Sequence, residues 1–265
     1  NVNPQYTTPE LEHQLKDSGA DAIVVLENFA HTLQEVLEKN PALNIAVITT
    51  EVGDMFPVVK ELLVNAVVKY VKHMVPEWKI GGATEFNAAL RAGHGQALED
   101  VPLSRDDTAF LQYTGGTTGV AKGAVLTHGN LVANVQQMAA WMARDLLEGK
   151  EVFVCPLPLY HVYALTSSLV FVKMGAHTVL VTNPRDMKAY IHDLKKYPFT
   201  AIIGVNTLYR ALLDAPEFAD VDLRALKLTS AGGMAVQRVV AERWKQRTGV
   251  PIIEGYGLTE TSPVV

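Results

Sequence analysis

Short runs of branched and aliphatic residues recur along this chain with longer amphipathic segments between them. That alternation restricts the fold more than any other feature. Residues 22–26 and 45–49 read as buried strands, with a helix over 31–39 between them. Further strands are predicted over 108–113, 123–127, 151–155, 176–181, 201–205, 226–230 and 251–254. Helices fit 128–144, 187–196, 207–214 and 237–248. Strands separated by helix-length connections pair in parallel, and the helices cover the faces of the sheet. The expectation is therefore an α/β fold with helices packed on mostly parallel sheets. With 265 residues and 48% hydrophobic content, the chain can bury the core of one large or two medium domains. We divide it into a first α/β subdomain over 1–107 and a second over 108–265. Residues 81–107, with Gly82, Gly93, Gly95 and Pro102, read as a loop-rich connection. The first helix starts at Thr8-Pro9-Glu10, with Thr8 as cap, and ends at Ser18-Gly19.

The stretch Tyr113-Thr-Gly-Gly-Thr-Thr-Gly-Val-Ala-Lys-Gly123 follows a predicted strand. Thr114, Gly115, Gly116, Thr117, Thr118 and Gly119 alternate residues without Cβ and residues with a hydroxyl. Glycines let successive peptides turn so that their N–H groups aim at one point, which makes an anion cradle. The threonines add donors, and Lys122 adds a cation at the far end. A glycine-rich hairpin turn is the alternative, but the length of the motif favours polyphosphate binding. The kinase-type P-loop does not fit, because Lys122 follows Ala121 and precedes Gly123 rather than Ser or Thr opening a helix. G-x-G-x-x-G does not fit either.

A second stretch, Glu254-Gly-Tyr-Gly-Leu-Thr-Glu260, closes the chain's last predicted strand. The Tyr256 ring, between Gly255 and Gly257 and followed by Leu258, can lie flat against a purine. Glu260 with Thr114 offers the hard oxygens that Mg²⁺ takes from protein, with Thr259 beside them; a solvated surface acid is the alternative for Glu260. Gly204-Val205-Asn206 and Gly232-Gly233-Met234 also follow strand ends, where open α/β sheets gather ligands. The two long stretches are expected to form walls of one ATP-sized slot. His161, after Pro156 and Pro158, is by default a satisfied structural residue. The eight histidines are scattered, so no metal cluster is expected.

The net charge of −5 gives no general nucleic-acid surface. Cys155 is the single cysteine, which excludes an internal disulfide and fits a reducing, cytoplasmic compartment; its default role is a small buried hydrophobe. No uncharged run is long enough to span a bilayer. In a helix over 58–75, Val59, Leu62, Leu63, Ala66, Val67, Tyr70 and Met74 share one stripe, flanked by Lys60, Lys69, Lys72 and His73. A core helix with a solvated lysine edge is the favoured reading. A helix lying on an anionic membrane surface, giving peripheral contact at its cytoplasmic face, is the alternative.

The run from Leu111 to Lys122 resembles the AMP-binding signature of the adenylate-forming enzymes, the superfamily of acyl-CoA synthetases, luciferases and peptide-synthetase adenylation domains. Gly115 and Ala121 stand where many members have serine and proline. The resemblance implies that Tyr113 to Gly119 and Lys122 bind phosphates, and that Thr114 and Glu260 contact metal and phosphate. It further implies that Gly232, Gly233, Met234 and Glu254 to Leu258 frame the adenine, that Thr259 meets the α-phosphate, and that His161, Gly204, Val205 and Asn206 border the acyl substrate. Lys122, Glu260 and His161 are the residues expected to act in catalysis. The chemistry implied is attack of a carboxylate on the α-phosphorus of ATP, loss of pyrophosphate, then displacement of AMP by coenzyme A.

Within the superfamily, Leu126-Thr-His-Gly-Asn-Leu-Val-Ala-Asn134, Pro158-Leu-Tyr-His161 and Thr182-Asn-Pro-Arg-Asp186 resemble bacterial long-chain fatty acid–CoA ligases. The first subdomain is then expected to be incomplete at its N-terminus. The ribose-binding aspartate, the hinge and the C-terminal domain with its catalytic lysine are expected beyond Val265, so this piece alone is expected to be inactive. Three other readings stay open: a ligase for a different carboxylic acid, a phosphotransferase with an unusual loop, and a non-catalytic nucleotide-binding module at the membrane. A homodimer also stays open.

Overall fold

The computed structural model describes residues 1–115 and 119–265. The chain forms two compact units: Asn1–Pro102 with Tyr113–Gly123, and Leu103–Gln112 with Ala124–Val265. The glycine–threonine stretch, grouped with the second half from sequence, packs with the first unit. Strands β4 (Thr108–Thr114) and β5 (Lys122–Thr127), which flank it, form a two-stranded sheet.

In the first unit, α1 (Thr8–Ser18), β1 (Ala22–Leu26), α2 (Glu27–Lys39) and β2 (Ala46–Thr50) follow the predicted order. With the two-residue β3 (Thr84–Glu85) they build a parallel sheet in the order β1-β2-β3, in which Ala22 faces Ala46 and Ile48 faces Thr84. Leu11 and Leu15 of α1, Leu33 and Val36 of α2, and Val47 of β2 make its core. The cap of α1 is Thr7, one residue before the expected Thr8: the Glu10 carboxylate accepts the Thr7 N–H at 2.8 Å and its hydroxyl at 2.7 Å. A further helix, α4 (Phe86–Gly93), lies in the segment expected to be loop.

The favoured reading of 58–75 as a core helix is overturned. The segment forms α3 (Val58–Ala66) and a π-helical turn over Val67–Val71, and neither contains a buried residue. Val59, Leu62, Leu63, Tyr70 and Met74 are all exposed. Polar groups fasten this segment: Asn65 accepts the Gly53 N–H at 2.7 Å and donates to Glu51 at 2.8 Å, while Glu61 accepts from Asn87 at 3.0 Å. The helix is thus held by its polar side, and its apolar stripe turns outward. Among the described residues, no helix is long and apolar enough to cross a membrane.

The second unit is a doubly wound α/β layer structure. Strands β6 (Val152–Cys155), β7 (His177–Leu180), β8 (Ala201–Gly204), β9 (Leu228–Ala231) and β10 (Ile252–Glu254) pair in the order β10-β9-β8-β6-β7, every pair parallel. Side chains alternate across each strand, so burying both faces requires continuously apolar strands. Phe153, Cys155, Ala201, Ile203 and Leu228 pack against α5 (His128–Met142) and α6 (Val162–Lys173). Val154, Ile202 and Ala231 face the other way, towards α7 (Met187–Lys196), α8 (Asn206–Asp214) and α9 (Arg238–Thr248). Trp244 is fully buried there, edge-on to Tyr209 and hydrogen-bonded through Nε1 to Thr229 at 3.1 Å. Helix α6 is one that no period in the sequence announces, because apolar residues surround its whole circumference.

One charge is tied into this layer. The Glu151 side chain is fully buried and accepts from Leu147 N–H at 2.7 Å and Lys227 Nζ at 2.8 Å. Burial alone would raise its pKa, but these partners prevail and hold it below the ordinary carboxylate value. Lys227→Met leaves a buried carboxylate unpaired and should destabilise the protein by about 3 kcal/mol at pH 7. Because the folded-state pKa is lowered, the pair's contribution is present above the ordinary carboxylate range and is lost as pH falls through it. An unchanged urea midpoint for the variant at neutral pH would show that the pair contributes nothing.

Candidate active site

The parallel register places three predicted loops side by side within the second unit. Gly204 lies opposite Ala231, and Ala231 opposite Glu254, so β8, β9 and β10 end level with one another. The Gly255 N–H donates to Ala231 O at 2.7 Å, which carries the ladder one residue past the strand end. Gly233 turns the chain there with φ +80°, a conformation L side chains rarely adopt. Sequence-predicted residues Gly204, Val205, Asn206, Gly232, Gly233, Met234, Glu254, Gly255 and Tyr256 thus come together at one edge.

Two of them have structural ties. Buried Asn206 accepts the Gln237 N–H at 2.9 Å, and Glu254 accepts the Val236 N–H at 2.9 Å. Both bonds brace the segment leading into α9. The Tyr256 side chain is exposed.

His161 sits near the point where the strand order reverses. The chain leaving β6 goes to β7 on one side, whereas β8 pairs on the other; open sheets keep ligand crevices at such points. Gln112 Nε2 donates to the Tyr160 carbonyl and holds the approach to His161. His161 caps α6, its Nδ1 accepting the Tyr163 N–H at 3.2 Å. An accepting Nδ1 carries no proton, so the neutral ring bears its proton on Nε2. The surrounding protein lowers the imidazole pKa by desolvation, in keeping with that neutral form.

Beneath the loop edge, on the α5 side of the sheet, is a cavity of about 1080 Å³. Met138, Trp141 and Met142 of α5, Tyr163 of α6, and Leu228 and Ile253 of the sheet line it, with Glu254, Gly255 and Tyr256 at the rim. Two polar anchors order its floor. The Tyr163 hydroxyl lies 3.1 Å from Ser230 Oγ, and the Tyr209 hydroxyl donates to the Ser230 carbonyl. Burial pushes the Tyr163 phenol up to about 12. His161, Gly204, Val205 and Asn206 are not among the lining residues. The Gly204 side of β8 is occupied instead by the Tyr209 ring, which a Cβ on Gly204 would meet at 2.9 Å. No motif marks Trp141, Tyr163 or Ser230 in sequence.

The C-terminal stretch folds back on itself. Gly257 bridges Val264 in antiparallel fashion, Thr259–Thr261 forms a short 3₁₀ turn, and Asn134 Nδ2 of α5 donates to Val264 O at 2.8 Å. Glu260 is exposed on that turn, with Leu258 and Thr259 next to it. Among the described residues no group of three or more His, Cys, Asp or Glu side chains could hold a metal.

In the first unit, Tyr113 is buried, Thr114 ends β4 and Lys122 opens β5 as an exposed residue. Gly115 and Gly119 are described, the latter with φ +133°, while Gly116, Thr117 and Thr118 lie outside the described residues. Sequence reasoning missed two neighbours of this stretch on α1, His13 and Asp17. They bond to Ala121 and Tyr113 respectively.

A profile of the AMP-binding enzyme family matches residues 1–265. A long-chain-fatty-acid–CoA ligase of Escherichia coli O157:H7 is 52% identical over 266 residues, which cover 100% of this chain and 47% of the relative. Among solved structures, an anthranilate CoA ligase in complex with anthranoyl-AMP superposes with a TM-score of 0.76 at 23% identity, over 99% of this chain and 46% of its own. A long-chain-fatty-acid-CoA ligase from Archaeoglobus fulgidus superposes with a TM-score of 0.75 at 24% identity, over 100% of this chain and 48% of its own. At those identities the two structures speak for the fold, that of the large domain of acyl-CoA ligases. The chain spans about half the length of the curated relatives it matches. With the profile running from the first residue to the last and the parallel layers superposing on solved ligases, this chain belongs to the AMP-binding enzyme family.

Proposed function

We propose that the protein containing this chain activates a long-chain fatty acid with ATP to an acyl adenylate and transfers the acyl group to coenzyme A. The observation that carries this reading is the level ending of β8, β9 and β10, whose loops lie together above an apolar cavity. Pockets of drug-sized ligands run to roughly 1,000 Å³ and are mostly apolar with a few polar anchors. The cavity has that size and that lining, which suits an aliphatic chain better than an amino acid. The likeness to long-chain-fatty-acid–CoA ligases supports the same substrate class.

In this reading the fatty carboxylate attacks the α-phosphorus, pyrophosphate leaves, and a thiol then displaces AMP. Charge spreads over phosphoryl oxygens, and preorganised N–H groups and a lysine stabilise it without reorganising. Tyr113 to Gly119 and Lys122 take the phosphates. Gly232, Gly233, Met234 and Glu254 to Leu258 take the adenosine, with Tyr256 offering its exposed ring and Thr259 its hydroxyl. Neutral His161, with its proton on Nε2, presents a donor to the carboxylate without adding charge. Thr114 and Glu260 would hold Mg²⁺; an exposed carboxylate and a hydroxyl are the hard oxygens this ion accepts, and few protein ligands suffice when phosphates supply the rest. Bound there, the ion would neutralise developing phosphate charge.

ATP–pyrophosphate exchange by the full-length protein tests the chemistry. Lys122→Ala and Glu260→Gln should each lower kcat/KM by roughly 100-fold, and release of ADP in place of AMP would refute adenylation. Acyl-chain preference tests the cavity. Leu228→Trp should cut activity on the longest acids and spare short ones; an unchanged length profile would place the acyl chain elsewhere.

A second reading concerns location. The outward stripe of Val59, Leu62, Leu63, Tyr70 and Met74, with Lys60 and Lys72 beside it, fits peripheral contact with an anionic membrane, where a cytoplasmic ligase would meet its apolar substrate. Leu62→Ser with Leu63→Ser should abolish co-sedimentation with phosphatidylserine-containing vesicles, and high salt should weaken it. Equal sedimentation of parent and variant would end this assignment.

A further inference from the structure

We propose that His13 and Asp17, one turn apart on α1, position the phosphate-binding stretch by holding both of its rims. The inference rests on the ligase reading for what the stretch binds, and on the first unit alone for the geometry. At one rim, the Tyr113 hydroxyl donates to Asp17 Oδ2 at 2.6 Å. At the other, His13 Nε2 lies 2.7 Å from the Ala121 carbonyl oxygen; a carbonyl only accepts, so this nitrogen carries the proton. The His13 and Tyr113 rings meet edge-on, 6.3 Å apart at 86°. Tyr113 in turn lies against Gly123, where an added Cβ would stand 3.1 Å from two ring carbons.

Residues four apart share a helix face, so one face of α1 reaches both ends of the stretch at once. That helix is itself fixed, because Leu11 and Leu15 are buried in the core of the first unit. The Tyr113 phenol is held above its ordinary pKa, chiefly by burial and then by Asp17, so it remains a donor across the physiological range. Neither bond depends on His13 being charged, since both protonation states keep a proton on Nε2.

The arrangement matters because an anion cradle made of backbone N–H groups has no side-chain slack. A displacement of about 1 Å at its ends can cost on the order of 100-fold in rate. His13 and Asp17 touch no reacting atom in this scheme; they act through Ala121 and Tyr113 and are positioning residues.

Full-length protein carrying His13→Ala, Asp17→Ala, Asp17→Asn or Tyr113→Phe separates this role from general stabilisation. The first reading is amide hydrogen exchange of the peptide spanning 111–124, the second the KM for ATP against that for the fatty acid in pyrophosphate exchange. We expect faster exchange of that peptide in His13→Ala and Asp17→Ala, with the KM for ATP raised about tenfold and that for the acid unchanged. Asp17→Asn keeps an acceptor for the Tyr113 hydroxyl and should restore most of the loss. Asp17→Ala combined with Tyr113→Phe should be no worse than either alone, since both remove one bond. Unchanged exchange in both alanine variants would overturn the proposal, as would an equal rise in KM for both substrates. Should the parent protein show no ATP-dependent activity, the ligase reading falls by itself. Amide exchange in the same variants still decides whether α1 holds the stretch.

Discussion

Burial of the five-stranded parallel sheet on both faces is the constraint from which the second unit follows. With helices on each side, a side chain pointing either way must be apolar or internally satisfied, and only strand ends reach solvent. Phe153 and Cys155 on one face and Val154 on the other show the rule within a single strand. Several polar groups within the layer are paired across it: Thr229 with the Trp244 indole, Ser230 with two tyrosine hydroxyls, Glu151 with Lys227. All strands being parallel, their carboxyl ends share one edge, and the glycine-bearing loops are collected there by topology before any ligand is considered.

The same constraint gives the strand-end residues two environments. On one face the Tyr209 ring fills the space beside Gly204 and closes it. On the other, α5 stands off the sheet far enough to leave the apolar cavity between Met138, Trp141 and Tyr163. Ser230 joins these environments, since its carbonyl takes the Tyr209 hydroxyl while its own hydroxyl meets Tyr163. One residue in the middle of β9 therefore braces the layer through its carbonyl and floors the cavity through its hydroxyl.

The first unit solves a smaller problem with less material. Three short strands and two helices enclose a small core of Leu11, Leu15, Leu33, Val36 and Val47. One of those helices, α1, faces the core with Leu11 and Leu15 and reaches the glycine–threonine stretch with His13 and Asp17. Helix α3 is treated in the opposite way: amide and carboxylate groups tie it down, and its hydrophobic stripe is turned to the outside. A stripe of apolar residues at helical spacing records that one face is hydrophobic. It does not record which face the neighbours choose.

The chain alone determined most of the element order and the α/β class, because strand and helix periods are local properties of side-chain direction. It also determined the two glycine-bearing motifs and the family, because a turn that demands glycine or a cradle that demands N–H groups leaves its mark within a few residues. Capping is local, yet at α1 it falls one residue before the expected position, where Thr7 rather than Thr8 meets Glu10. Tertiary structure decided the rest. Helix α6 carries apolar residues around its whole circumference and so lacks any period to read. The cavity exists only where α5 meets β9 and β10, residues far apart in the chain. The contacts of His13 and Asp17 with the glycine–threonine stretch span 108 and 96 positions, and no local pattern announces them. What depends on one residue's neighbours in sequence was legible; what depends on its neighbours in space was not.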